Sequence, residues 1–329
     1  TVQSGTQATF EDTEIRGNAT NTTIGGGGGI KIYDPGTKVV FLRVKVIGNE
    51  AADGAGVYVE TQGTATITAS EIRENRAGRY GAGLVLNDRV AVTISDSVVE
   101  SNQASNNGGG LWAINQAQVK VEGSLIRSNQ SGGVGGGVIV TDGSTVELKN
   151  NLIASNRSAL EGDGLYLAGS TVTLTNNSVV HNDPGGGGDG LILVSGAAVH
   201  MTNNIVYGNG FGIRNGKPAT SRRNDVYGNA KANYSGFTPD GSDLSVDPQF
   251  VNGYYLSQVS AGQGTTSPLV DAGSGSATDL GLHTRTTRTN GVPDQGTVDI
   301  GYHYPTSTGP VTVVYRFQAF VPLAPIRNR

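Results

Sequence analysis

Gly108–Asn129 reads GGGLWAINQAQVKVEGSLIRSN. Small residues open it, a short apolar alternation follows, then a turn, a second alternation, and finally Ile, two residues and Asn. The same unit recurs from near the first residues to about residue 229. Its closing Asn falls at Asn18, Asn49, Asn75, Asn102, Asn129, Asn156, Asn182, Asn209 and Asn229, mostly 26 or 27 residues apart, with 31 at the start and 20 at the end. Three residues before each Asn stand Ile15, Val46, Ile72, Val99, Ile126, Ile153, Val179, Val206 and Val226, all β-branched and suited to a buried strand. Eight before stand Phe10, Phe41, Ile67, Ile94, Val121, Leu148, Leu174 and Met201. The opening alternation pairs Ile30 with Ile32, Val57 with Val59, Leu84 with Leu86, Leu111 with Ala113, Val138 with Val140, Leu165 with Leu167 and Leu191 with Leu193. A period of two places one face in and one face out.

Each unit therefore supplies three short strands, and no unit buries its apolar face alone. Stacking coil on coil with parallel pairing solves that problem. The expected fold is all-β: a right-handed, single-stranded parallel β-helix of about nine coils, roughly 40 Å long at strand spacing, with an irregular C-terminal cap and a terminal strand. Asn75, Asn102, Asn129, Asn156, Asn182 and Asn209 are expected to stack as a structural ladder at a turn. A second ladder lies five residues earlier, where small polar residues give way to Asn151, Asn177, Asn204 and Asn224.

Composition narrows the function. Fifty-one Gly in 329 residues and 15% charged residues suit a punctuated solenoid. A net charge of −4 gives no support to a nucleic-acid partner, and no apolar run approaches the ~20 residues of a membrane span. The absence of Cys removes thiol catalysis, disulfides and Cys-based metal sites. A first residue Thr1 fits a processed, exported chain.

The GG(A/G)(I/L/V) and (I/V)xxN signatures over residues 8–229 resemble the repeats of polymorphic outer-membrane adhesins and of many bacterial right-handed β-helix proteins. After residue 229 the period breaks. Asp247-Pro248, Ser267-Pro268, Asp271-Ala272-Gly273 and Val298-Asp299-Ile300-Gly301 are similar to the C-terminal regions of secreted proteins carrying choice-of-anchor sorting domains. These resemblances imply export and display at a bacterial cell surface or outside the cell, and imply no catalytic residue. The expected division is 1–229 repeats, 230–305 a cap over the last coil and its strand edges, and 306–329 a tail strand free to add to its own sheet or a neighbour's.

Two constellations are candidate sites. Between the inward residues of the first strand stand Lys31, Tyr58, Val85, Trp112, Ile139, Tyr166 and Ile192. From Tyr58 to Ile192 the outward row is apolar or aromatic, and contiguous apolar stripes mark interfaces. Three covers compete: another part of this chain, a second copy, or a polysaccharide. The third fits because Tyr58, Trp112 and Tyr166 sit on alternate coils, roughly 10 Å apart, near the disaccharide repeat of an extended β-linked glycan. The other constellation is Asp163 and Asp189, each before the Gly that opens a coil. They are expected to stack roughly 5 Å apart. A retaining glycosidase or a Ca²⁺ ion would use such a pair, although turn chemistry accounts for it equally.

The remaining features carry less. His181, His200, His283 and His303 show no metal or triad spacing and are expected to be solvated. Arg16, Arg73 and Arg127, with Glu100, form a mixed outward row without the acidic cluster that β-helix polysaccharide lyases place beside such a base. The Gly runs lack the Lys-Ser/Thr of a phosphate loop. The first coil has no capping helix, so head-to-tail assembly is expected to cover its edges. The resulting expectation is an exported, non-enzymatic structural or adhesive protein. It self-associates head-to-tail or laterally, at the cell surface or in an extracellular filament, and needs no cofactor, Ca²⁺ at Asp163 and Asp189 being the one candidate ion. The alternative is a polysaccharide-binding or polysaccharide-degrading protein, a lyase or glycoside hydrolase.

Overall fold

The alternating segments form strands that pair in parallel with the equivalent segment one coil later. The computed structural model describes residues 1–183, 187–216, 218–239 and 241–306. Three sheets of nine strands each run the length of a right-handed parallel β-helix. The first sheet begins at Ile30–Ile32 and passes through Leu111–Ile114 and Leu165–Leu167. The second begins at Gln7–Glu11, and the third at Glu14–Arg16. About seven turns are regular, fewer than the nine expected. The spacing of the closing Asn is 26 or 27 residues from Asn49 to Asn209 and departs from it at the two ends, with 31 residues from Asn18 to Asn49 and 20 from Asn209 to Asn229.

Register is held without slippage along these three sheets: Ile94 pairs Ile67 and Val121, and Val99 pairs Ile72 and Ile126. The inward residues form one continuous core from Ile30 to Val226. A residue in the left-handed region turns the corner between second and third sheets, for example Asn150 at φ 52°, and another turns the next corner, Ser128 at φ 56°. Behind each corner runs a hydrogen-bonded ladder. Asn129 donates from its backbone N–H and from Nδ2 to Asn156 Oδ1, both at 3.0 Å, and the same pattern joins Asn102 to Asn129. Asn75, Asn182 and Asn209 continue it, all fully buried.

A fourth sheet was not expected. Glu50–Asp53, Arg76–Tyr80, Gln103–Ala104, Gln130–Ser131 and Arg157–Ser158 pair in that order just after the Asn ladder. Most of these strands are two residues long, too short for alternation to reveal. They close on the small inward residues Ala51, Ala77 and Ala104.

The C-terminal region divides its work. Residues 232–239 and 241–246 close the end of the solenoid. Tyr234 and Phe237 pack on the core, Asn233 Oδ1 terminates one Asn ladder at Asn229, and Asp243 Oδ1 terminates the other at Asn224. The rest does not sit on the last coil. It folds back along the outer face of the third sheet. Tyr254, Tyr302 and Tyr304 pack on Leu152, Ala154 and Val180, and Leu256, Leu269 and Ile300 pack on Ile205. The corner residues Asn150, Asn176 and Asn203 bond His303, Asp299 and Ser274 of this returning segment. The tail strand expected in 306–329 falls, beyond Thr306, outside the described residues. No helix among the described residues is long and apolar enough to cross a membrane.

Candidate functional site

The outward row of the first sheet is in register as expected: Lys31, Tyr58, Val85, Trp112, Ile139, Tyr166 and Ile192 pair successively, and Arg214 follows Ile192. It is not an exposed stripe. Val85 (5%), Ile139 (1%) and Ile192 (0%) are buried, whereas Tyr58, Trp112 and Tyr166 are half-buried. The cover is the chain itself. Four residues before each of six row members stands a glycine with positive φ: Gly27, Gly54, Gly81, Gly108, Gly135 and Gly162. There the connection folds over its own strand. A Cβ at Gly81 or Gly135 would lie 1.9 Å from Val85 Cγ2 or Ile139 Cγ1. Only glycine permits that approach. Of the three covers the sequence leaves open, the chain's own lies over Val85, Ile139 and Ile192.

The aromatic rings are too large to be covered fully. Between Trp112 and Tyr166 lies an open groove of about 290 Å³ whose floor includes Ile139 and whose walls include Asn107, Thr141 and Asp142. Trp112 is fixed on two sides: its Nε1 donates to Thr141 Oγ1 (3.3 Å), and its ring meets Tyr80 edge-on at 5.4 Å. Asn107 Oδ1 accepts the Val134 N–H (3.1 Å), which pins the loop on the groove's other side. Asp142 is exposed on the rim. Tyr58 lies outside this groove, near Lys31, and burial raises its hydroxyl pKa to about 12.

Asp163 and Asp189 do fall on adjacent coils, but they are not an open carboxylate pair. Each is 2% exposed. Asp163 Oδ1 accepts from Ser158 N (2.7 Å), and its Oδ2 from Asp189 N (2.8 Å). Asp189 takes both Nε and Nη2 of Arg214, at 2.6 and 2.8 Å, and the Gly162 N–H at 3.0 Å. Burial raises the Asp163 pKa against those backbone donors. The pair thus organises the loop over Tyr166. Its oxygens are spent on backbone and guanidinium donors, which corrects the expectation that they face a substrate or a Ca²⁺ ion. Arg214 was missed, although extending the outward row one coil past Ile192 reaches it.

A further cluster escaped the sequence. Asp294, Asp299 and His303 are buried together in the returning segment, with polar atoms within 4.8 Å of one another. His303 was expected to be solvated and is 0% exposed. Its Nε2 meets Asp294 Oδ2 at 2.8 Å and its Nδ1 the Gly301 carbonyl at 3.0 Å. Asp299 accepts Asp271 N–H (2.7 Å), Gln258 Nε2 (3.3 Å) and the Thr287 hydroxyl. Burial, then the Asp294 charge, raises the Asp299 pKa to about 6. These bonds stitch the segment that grips the third sheet, and all three side chains are buried within it. The region has no repeat, so parity could not show which way His303 points. His181 is likewise packed, against Tyr207 and Tyr254.

The family model described as "Right handed beta helix region" matches residues 55–231. Neither a curated protein nor a solved structure matches the chain.

Proposed function

The chain belongs to the right-handed β-helix family, and from that premise we propose a non-catalytic glycan-binding scaffold working outside a bacterial cell, with a sugar chain lying along the axis across Trp112 and Tyr166. The observation that carries this reading is the groove. It joins two aromatic side chains from alternate coils over an apolar floor, with polar groups on both walls. Aromatic faces take the apolar faces of sugar rings, and the few polar groups fix orientation. An external site accords with a glycan ligand and with the adhesin-like and anchor-like sequence motifs. Catalysis finds no support, because both candidate acids are engaged in the loop.

Isothermal titration or affinity electrophoresis against a panel of soluble polysaccharides tests the proposal. Trp112→Ala and Tyr166→Ala should each weaken binding about tenfold, the equivalent of ~1.4 kcal/mol, and no reducing or unsaturated ends should appear. A panel in which nothing binds, or binding indifferent to both substitutions, would sink it. Self-association, laterally or head-to-tail, was the sequence's first reading. Its lateral form rested on an exposed stripe whose aliphatic members are buried. A Trp112→Ala variant with altered sedimentation and intact glycan binding would reinstate it.

A further inference from the structure

Granted that a glycan binds in this groove, as proposed above, the chemistry of the lining narrows the ligand further. The lining contains Asp142 and no Lys or Arg. Asp142 is exposed and makes no ion pair among the described residues. Asn107 has its Oδ1 taken by the Val134 N–H, so its amide N–H group is the part left to meet a ligand. A carboxylate can only accept hydrogen bonds while ionised. It suits hydroxyl donors and repels a second carboxylate. Two like charges about 5 Å apart in water-like surroundings disfavour association roughly fourfold, and more where water is thinned.

Spacing adds a second restriction. Trp112 and Tyr166 project from the same position of the same sheet, two coils apart, with Ile139 between them. Identical register gives both rings the same setting, about 10 Å apart along the axis. A chain that offers the same ring face at every second sugar matches this spacing. Equatorial–equatorial 1,4 linkage does so, because each successive ring is flipped. A helically coiled α-linked chain does not. We infer that the groove selects a neutral, extended β-1,4-linked glycan and discriminates against acidic ones.

The test uses the full chain and isothermal titration at low salt with three hexasaccharides: cellohexaose, cellohexaose oxidised at C6 to uronates, and maltohexaose. Cellohexaose should bind, and Trp112→Ala should weaken it about tenfold. The oxidised form should bind at least about fourfold more weakly. Asp142→Asn should close that gap, and added salt should narrow it. Maltohexaose should bind at least about tenfold more weakly than cellohexaose. Equal or tighter binding of the oxidised chain, a gap unchanged by Asp142→Asn, or equal binding of maltohexaose overturns the inference. Trp112-dependent binding of an acidic or α-linked glycan alone would leave the glycan-binding reading standing while this inference fails. No binding by any of the three, with none by the wider panel, removes both.

Discussion

Replacing Asn129 by Ala should cost the solenoid about 4 kcal/mol at one coil, more than any packing loss from so small a truncation. The side chain is fully buried and makes four hydrogen bonds. Oδ1 accepts Asn102 N (3.1 Å) and Asn102 Nδ2 (2.9 Å), while Nδ2 donates to the Val99 carbonyl (2.9 Å) and Asn156 Oδ1 (3.0 Å). Two of these partners keep another bond: Asn156 Oδ1 retains the Asn129 N–H, and Asn102 Nδ2 retains the Ile72 carbonyl. The Asn102 N–H and one Asn102 amide hydrogen lose theirs, whereas the Val99 carbonyl stays in the ladder with the next strand. Each buried group left without a partner costs about 1–3 kcal/mol, so two at the middle of that range give the estimate. Asn129→Asp separates hydrogen bonding from volume. It keeps the size and the acceptor but turns an oxygen on the Val99 carbonyl and on Asn156 Oδ1, so it should be at least as damaging. Asn18→Ala is the control, because Asn18 is exposed and its side chain donates only to Asn49 Oδ1, so under about 1 kcal/mol is expected there. Urea unfolding gives the totals, and hydrogen exchange by mass spectrometry should localise lost protection to the segments around Asn102 and Asn129. If Asn129→Ala costs no more than Asn18→Ala, the ladder is decoration on a fold held by apolar stacking alone.

Arg214→Ala should destabilise by about 3 kcal/mol, since it strips both guanidinium bonds from the buried Asp189 carboxylate. Arg214→Lys, which cannot form the fork, should fall between; a loss below about 1 kcal/mol in Arg214→Ala would show that the loop over Tyr166 does not need the pair. Asp225 gives the protein a pH signature. It is fully buried with Oδ2 unpartnered, and burial first, then the Asp247 and Asp243 charges, raises its pKa from 3.8 to about 7. The folded state therefore holds this proton more tightly than the unfolded chain. Its contribution is fully present below pH 3.8 and is lost as pH rises to about 7, a change of about 4 kcal/mol. Asp225→Asn should gain on the wild type by that amount across this window in urea titrations, and a pH-independent difference between the two would refute the assignment.

Much of the fold was legible because parity along a strand is a local property. Val121, Ile126 and Asn129 could be assigned inward from one copy and checked against eight others. The fourth sheet was not legible because two residues such as Gln103 and Ala104 define no period. The path of the C-terminal segment left a mark that went unread. The first outward position of the third sheet runs Glu14, Lys45, Glu71, then Val98, Leu125, Leu152, and later Ile205. The change from charged to apolar falls where the returning segment begins to cover the sheet, with Arg285 reaching Asp96 at its far end. An outward apolar residue in a solenoid announces a cover, and nothing local says whose.

That ambiguity governs the candidate site as well. The row from Tyr58 to Ile192 faces outward by parity, and the sequence alone leaves its cover open. What decides the matter is a second periodic signal in the same copies, the glycine four residues earlier. Its left-handed backbone lets the loop lie directly on the strand it precedes, as at Gly135 over Ile139. Side-chain size then sorts the row. Aliphatic members disappear beneath the loops, and aromatic members overrun them. Trp112 and Tyr166 remain accessible for the reason that hides Ile139 between them, and the groove exists because large and small residues alternate along the axis beneath the loops. Exchanging Ile139 for Trp would fill the groove floor without altering the register.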